Sequence, residues 1–160
     1  MNTAILLIGG NLGNRTAHLQ QAVQLIDQQA GQVTKVSALY ETAPWGNVQQ
    51  PDYLNQALQI TTPLEPLALL HAVMEIERAI GRIRQEKWGA RVIDIDIIFY
   101  NDAIVSVPEL KLPHPRMQYR RFVLAPLNEI APDWIHPVLQ QPVSALLEAC
   151  KDDLPANKIN

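Results

Sequence analysis

Cysteine is almost missing: Cys150 is the only one in 160 residues. An intrachain disulfide and a cysteine-built metal site are therefore excluded, and a reducing compartment is expected. Aromatic residues make up only 6% of the chain, too few for a sheet that stacks unpaired RNA bases. A basic excess is missing too. Thirteen Lys and Arg stand against 16 Asp and Glu, a formal net charge of −3, whereas a general nucleic-acid binder presents a basic surface. No segment reaches the ~20 apolar residues of a membrane span. The N-terminal apolar run, Ala4 to Ile8, is short and has no basic lead-in, so it reads as a strand rather than a signal peptide. The expectation is a soluble, cytoplasmic protein with no nucleic-acid or membrane partner. Nothing in the hydrophobic content demands a second copy, which predicts a monomer. There is no internal repeat or low-complexity linker. At 48% hydrophobic and 18% charged residues, the chain reads as one domain spanning 1–160 with a real core.

What is present is a well-punctuated series of elements. Thr3 to Ile8 predicts a buried strand, and Gly9-Gly10-Asn11-Leu12-Gly13-Asn14 a turn with Asn14 as helix N-cap. A helix to about Gln29 buries Leu19, Ala22, Val23 and Ile26, and Gly31 ends it. Val33 to Tyr40 predicts a second strand, Glu41 to Asp52 a loop, and Tyr53 to Thr62 a third strand. Pro66 opens a second helix near N1, with Leu69, Leu70, Val73, Ile76 and Ile80 buried, and Gly81 closes it. A strand runs from Val92 to Tyr100. Asn101-Asp102 predicts a hairpin turn returning through Ile104 and Val105. Helices follow at Phe122 to Glu129 and Pro142 to Ala149, and the tail from Lys151 is expected to fray. The order β-α-β-β-α-β predicts an α+β, ferredoxin-like antiparallel sheet with helices packed on it, plus an added hairpin and C-terminal helices.

The strand from Val92 carries the chemistry. Side chains alternate along a strand, so Ile93, Ile95, Ile97 and Phe99 should face one way and Asp94, Asp96 and Ile98 the other. The two carboxylates then lie roughly 6.5–7 Å apart at the backbone. They repel each other and resist desolvation, which a bound divalent cation relieves. Oxygen-only ligands favour magnesium over zinc. A solvent-facing strand face would accommodate the same pair. The preceding run, Arg82 to Arg91, favours the site: Arg82, Arg84, Lys87 and Arg91 stand against Glu86 alone. Acids to hold metals and arginines to take the remaining charge are the parts of a polyphosphate site.

Other stretches read both ways. The glycine-rich turn lacks the spacing of a nucleotide-binding loop and reads as a tight turn. Trp45, between Pro44 and Gly46, suits a lid or a packed loop anchor. Tyr53 and Asn55 share a strand face, a ring to stack and an amide to match the edge of a flat heterocycle, though both are also ordinary strand residues. Glu77 could face the site or be a solvated helix carboxylate. His114, held between Pro113 and Pro115, suits a phosphate donor or an exposed loop. Arg116, Arg120 and Arg121 form a second basic cluster beside Phe122.

Taken together, these motifs resemble the 6-hydroxymethyl-7,8-dihydropterin pyrophosphokinase family of folate biosynthesis. The resemblance rests on Lys87-Trp88-Gly89-Ala90-Arg91-Val92-Ile93-Asp94-Ile95-Asp96-Ile97-Ile98. It is supported by Gly9 to Gly13, Tyr40-Glu41-Thr42 with Pro44 and Gly46, Gln50 to Asn55, Gly81 to Arg84, Pro113 to Arg116 with Arg120 and Phe122, and Glu129 to Pro132. It implies transfer of the pyrophosphoryl group of ATP to the substrate's hydroxymethyl oxygen, with release of AMP. It implies that Asp94 and Asp96 bind two Mg2+ ions, and that Arg82, Arg91 and Asp96 act in the transfer. It implies a pterin site of Thr42, Pro44, Tyr53, Asn55 and Phe122, and an ATP site of Glu77, Arg84, Trp88, Ile98, His114 and Arg120. Gly10 stands where serine is more usual, and Met74 where some members carry a polar nucleotide contact. The alternative on the same motifs is another magnesium-dependent nucleotidyl or phosphoryl transferase on this fold.

Overall fold

A computed structural model of the protein describes residues 1–44, 49–81 and 91–159. Strand β1 (Asn2–Gly10) lies at the middle of the main sheet. It pairs antiparallel with β4 (Tyr53–Thr62) on one side and β5 (Asp94–Tyr100) on the other. Beyond β4 come β2 (Gln32–Val36) and β3 (Leu39–Thr42), and β8 (Asn157–Ile159) adds to β3. Helices α1 (Arg15–Gln29) and α2 (Pro66–Ile80) cover one face, where Leu19, Ala22, Ile26, Leu69, Val73 and Ile76 pack on Ala4, Leu6 and Ile8. Helices α3 (Arg121–Ile130) and α4 (Val143–Ala149) cover the other, packing on Ile5, Leu7 and Ala57. β1 is apolar on both faces because each has its own core. The α+β, ferredoxin-like order is the one expected.

The helix boundaries follow their signals. The Asn14 side chain accepts from Ala17 N at 3.1 Å, Pro66 opens α2, and Gly81 ends it at φ 116°, a conformation that disfavours other residues.

Five details differ from expectation. The second strand is two, β2 and β3, both on the same edge of β4. Between them Ser37 uses its hydroxyl to accept from Ala57 N at 2.9 Å, so the ladder is broken where a side chain substitutes for backbone. Glu41 and Thr42 consequently belong to a strand rather than a loop. In β5 the strict alternation fails. Leu6 pairs with Ile97 and Ile5 with Phe99, leaving Ile98 as a bulge. Ile98 and Phe99 therefore both enter the second core, and Phe99 stacks on Trp134 at 5.5 Å. The hairpin is not a return onto β5: β6 (Val105–Val107) and β7 (Leu110–Leu112) form a separate two-stranded sheet. Finally, the tail does not simply fray. β8 pairs with the outer edge of β3, satisfying backbone groups an edge strand would expose. Arg121 steadies the connection through Asp152 and the Cys150 carbonyl.

Ser37→Ala removes the acceptor for the buried Ala57 N–H. It is expected to lower stability by about 1–3 kcal/mol, read as a shift of the urea unfolding midpoint at unchanged slope.

Candidate active site

The register of β1 assembles the site. Gly9 lies opposite Asn55 on β4 and Asp94 on β5, and Leu7 lies opposite Ala57 and Asp96. Tyr40 pairs with Asn55, and Thr42 with Tyr53. One row across the sheet thus reads Tyr40, Asn55, Gly9, Asp94. Tyr53 and Thr42 lie one step along the same face toward the loops. Asp94 and Asp96 are the two half-buried residues at the start of an otherwise buried strand. They precede the bulge, so their shared face is the expected one.

Gly9 is required by close approach. A Cβ there would lie 2.2 Å from Asn55 Oδ1; the Asn55 carboxamide occupies the space a side chain would fill. Asn55 itself is only 6% exposed. At Gly10 a Cβ would lie 2.3 Å from the Val92 carbonyl oxygen, so the first turn closes down on the segment leading into β5.

Charges converge on the acid pair. The Arg91 guanidinium is 3.0 Å from Asp94 Oδ2. Burial pushes the Tyr53 phenol above its usual range, with Arg91 opposing and Asp94 adding to the shift. Burial holds the His114 imidazole below its ordinary value; Arg120 and Arg116 lower it further and Asp94 counteracts them. Burial also lowers Arg120, helped by Arg116 and opposed by Asp96 and Asp152; it stays charged. The Arg120 guanidinium carbon sits 5.7 Å from the Phe122 ring centroid, within cation–π range. Asp94 therefore feels Tyr53, Arg91 and His114, and Asp96 feels Arg120.

The structure thus brings Arg91, Tyr53, Asn55, Asp94, Asp96, His114, Arg120 and Phe122 to one end of one sheet face. Thr42, buried at the end of β3, pairs with Tyr53 and borders it, and Pro44, two residues on, is half-buried. Glu77 is not the solvated carboxylate its helix position suggests. It is 3% exposed, and its Oε2 accepts from Ile95 N at 2.7 Å, on the outer edge of β5 between the two acids. His114 N donates to the Ile98 carbonyl on the same edge at 3.0 Å. The Ile98 side chain turns into the second core, 1% exposed. Arg82, Arg84, Trp88 and Trp45 lie outside the described residues.

Three residues seen in the sequence only as parts of a basic cluster or a turn contribute to the site. Arg116 bears on both His114 and Arg120, Gly9 makes room for Asn55, and Asn11 binds two segments across the turn. Only Gly9 had a legible signal: it shares strand parity with Leu7.

Two carboxylates with hard oxygens fit Mg2+, which keeps waters and substrate phosphate oxygens in its remaining positions. Among the described residues no group of three or more His, Cys, Asp or Glu side chains gathers.

Comparison with known proteins identifies the family and the fold. Residues 5–132 match the family 7,8-dihydro-6-hydroxymethylpterin-pyrophosphokinase. The chain is 46% identical over 130 residues to the 2-amino-4-hydroxy-6-hydroxymethyldihydropteridine pyrophosphokinase of Bacillus subtilis, covering 81% of this chain and 78% of that protein. It is 37% identical over 143 residues to the Aquifex aeolicus protein of the same name, covering 89% of each. The crystal structure of Plasmodium falciparum HPPK-DHPS with pterin and p-hydroxybenzoate is similar with a TM-score of 0.74 at 18% identity, over 92% of this chain and 41% of that longer one. At that identity the likeness establishes the fold.

The His114 titration tests the electrostatics. Its NMR midpoint is expected below the ordinary histidine value of about 6.5. Arg120→Met should raise it by removing a like charge, and Asp94→Asn should lower it further by removing an opposite one.

Proposed function

The chain belongs to the 7,8-dihydro-6-hydroxymethylpterin-pyrophosphokinase family, and from that premise we infer how its site performs the reaction. The protein is an ATP-dependent pyrophosphokinase of folate biosynthesis. It moves the pyrophosphoryl group of ATP to the hydroxymethyl oxygen of 6-hydroxymethyl-7,8-dihydropterin. The hydroxymethyl oxygen attacks the β-phosphorus, the bond from that phosphorus to the α-bridging oxygen breaks, and AMP leaves. The observation that best supports the assignment is the acid pair lying between a ring-and-amide pair and a group of cations on one sheet face.

Each residue then has a task. Tyr53 and Phe122 hold the pterin ring between them, Asn55 and Thr42 meet its polar edge, and Pro44 lines it. The Asn55 amide can do so because Gly9 leaves it room. Asp94 and Asp96 hold two Mg2+ ions, which when bound supply charge neutralisation on the phosphate oxygens. Asp96 assists loss of the hydroxymethyl proton. Arg91, anchored at Asp94, and Arg82 offset charge that develops during transfer. His114, whose imidazole burial holds below its ordinary value, and Arg120 bind ATP phosphates, and Arg84, Trp88, Glu77 and Ile98 belong to the nucleotide side. Exclusion of water protects the transfer from hydrolysis.

The protein works as one domain and as a monomer in the cytoplasm, with no nucleic-acid partner. Among the described residues no helix is long and apolar enough to cross a membrane.

Incubation with ATP, Mg2+ and the pterin should yield AMP only when all three are present; pyrophosphate release instead would mean nucleotidyl transfer. Asp94→Ala and Asp96→Ala are each expected to lower AMP formation by at least about 10²-fold while leaving the circular dichroism spectrum unchanged. Gly9→Ala, which displaces the Asn55 amide, should raise the pterin KM about tenfold, the worth of one hydrogen bond, with the ATP KM little altered.

A further inference from the structure

Asn11 is 1% exposed and lies in the first turn, directly after β1. Its Oδ1 accepts from Arg91 N at 2.8 Å. Its Nδ2 donates to the Pro51 carbonyl at 3.0 Å and to Gln50 Oε1 at 3.2 Å. The orientation of the amide is unambiguous, because an Arg91 N–H can only donate and a Pro51 carbonyl can only accept. The turn's backbone completes the grip: Asn11 N and Leu12 N both donate to the Arg91 carbonyl, at 2.9 and 3.2 Å. Both backbone polar groups of Arg91 are thereby held by one turn. Nearby, Arg15 donates to the Asp52 carbonyl and to Glu41 Oε2, each at 2.8 Å. The segment leading into β4 is thus held from the same stretch of chain.

These two segments lead to opposite sides of the site. Arg91 bonds Asp94 on the phosphate side, and Pro51 is two residues before Tyr53 on the pterin side. We propose that Asn11 is a positioning residue for the transfer: its single carboxamide locks the backbones of Arg91 and Pro51 together, so that the guanidinium at Asp94 and the ring of Tyr53 keep one relative geometry. The proposal rests on the pyrophosphokinase reading for its kinetic consequence, but not for the tether itself. A carboxamide that only closed a turn would bind within the turn. This one reaches residues 40 and 80 positions away.

The two halves of the amide can be separated. Asn11→Asp keeps an oxygen for Arg91 N–H but can no longer donate to Pro51. Asn11→Ala loses both halves. Hydrogen exchange at the Arg91 amide should accelerate by at least about tenfold in Asn11→Ala and stay near wild type in Asn11→Asp. In steady-state kinetics Asn11→Asp should raise the pterin KM by about tenfold with kcat within a few-fold of wild type. Asn11→Ala should in addition lower kcat by about 10–10²-fold, the scale of a small misplacement of a catalytic group. On an Arg91→Ala background, Asn11→Ala should change kcat by less than about threefold, because its effect is transmitted through Arg91. Unaltered exchange at Arg91 in Asn11→Ala would overturn the tether. A kcat loss that is as large without the Arg91 side chain as with it would overturn the positioning role. Wild-type protein that forms no AMP would defeat the functional reading instead, with the exchange pattern still deciding the tether.

Discussion

The pairing register of β1 is the constraint on which the site depends. Gly9 must lie opposite Asn55 on one neighbour and Asp94 on the other. A slip of one residue against β5 would turn both acids into the α1–α2 core and bring isoleucines to the site face. That slip is resisted by β5, where Ile95 and Ile97 in the α1–α2 core alternate with Asp94 and Asp96, while β1 is apolar on both sides. Ala4, Leu6 and Ile8 fill one core, while Ile5 and Leu7 fill the other. The chemistry thus stands at the end of the strand that both cores share.

The strand carrying the acids is the sheet's outer one, and its open edge is used rather than merely covered. Glu77 receives the Ile95 N–H and His114 gives its own N–H to the Ile98 carbonyl. Each contact ties a residue from another segment to β5 beside the acid pair. The bulge at Ile98 then turns Phe99 into the second core against Trp134, anchoring β5 just past the acids. Anchoring matters electrostatically. Two carboxylates and several cations in a partly desolvated place interact strongly at short range, and that interaction falls off with distance. Burial, then Arg120, hold the His114 imidazole below its ordinary value, with Asp94 opposing, while Arg120 stays cationic.

Much of this was legible along the chain. Alternation alone put Asp94 with Asp96 and Tyr53 with Asn55, because parity within a strand needs no partner. Capping residues marked the helices for the same reason. What alternation could not reveal was anything dependent on a second strand. The bulge exists only as a mismatch between β1 and β5, so Phe99 was assigned to the wrong face. Ser37 broke a strand through a bond to Ala57, twenty residues on. The tail became β8 because an edge of β3 was available to it.

The sequence by itself determined the kinds of group present and their local order: an acid pair after a basic run, a ring beside an amide, glycines at the first turn. Those are properties of neighbours in the chain, governed by backbone geometry and side-chain chemistry. Tertiary structure alone decided that Asn55 would fold over Gly9, that Glu77 would be buried against Ile95, and that Asn11 would bind Arg91 and Pro51. Each of these needs two or three distant segments to arrive within about 3 Å, and that distance is set by how the cores fill, not by the spacing of letters.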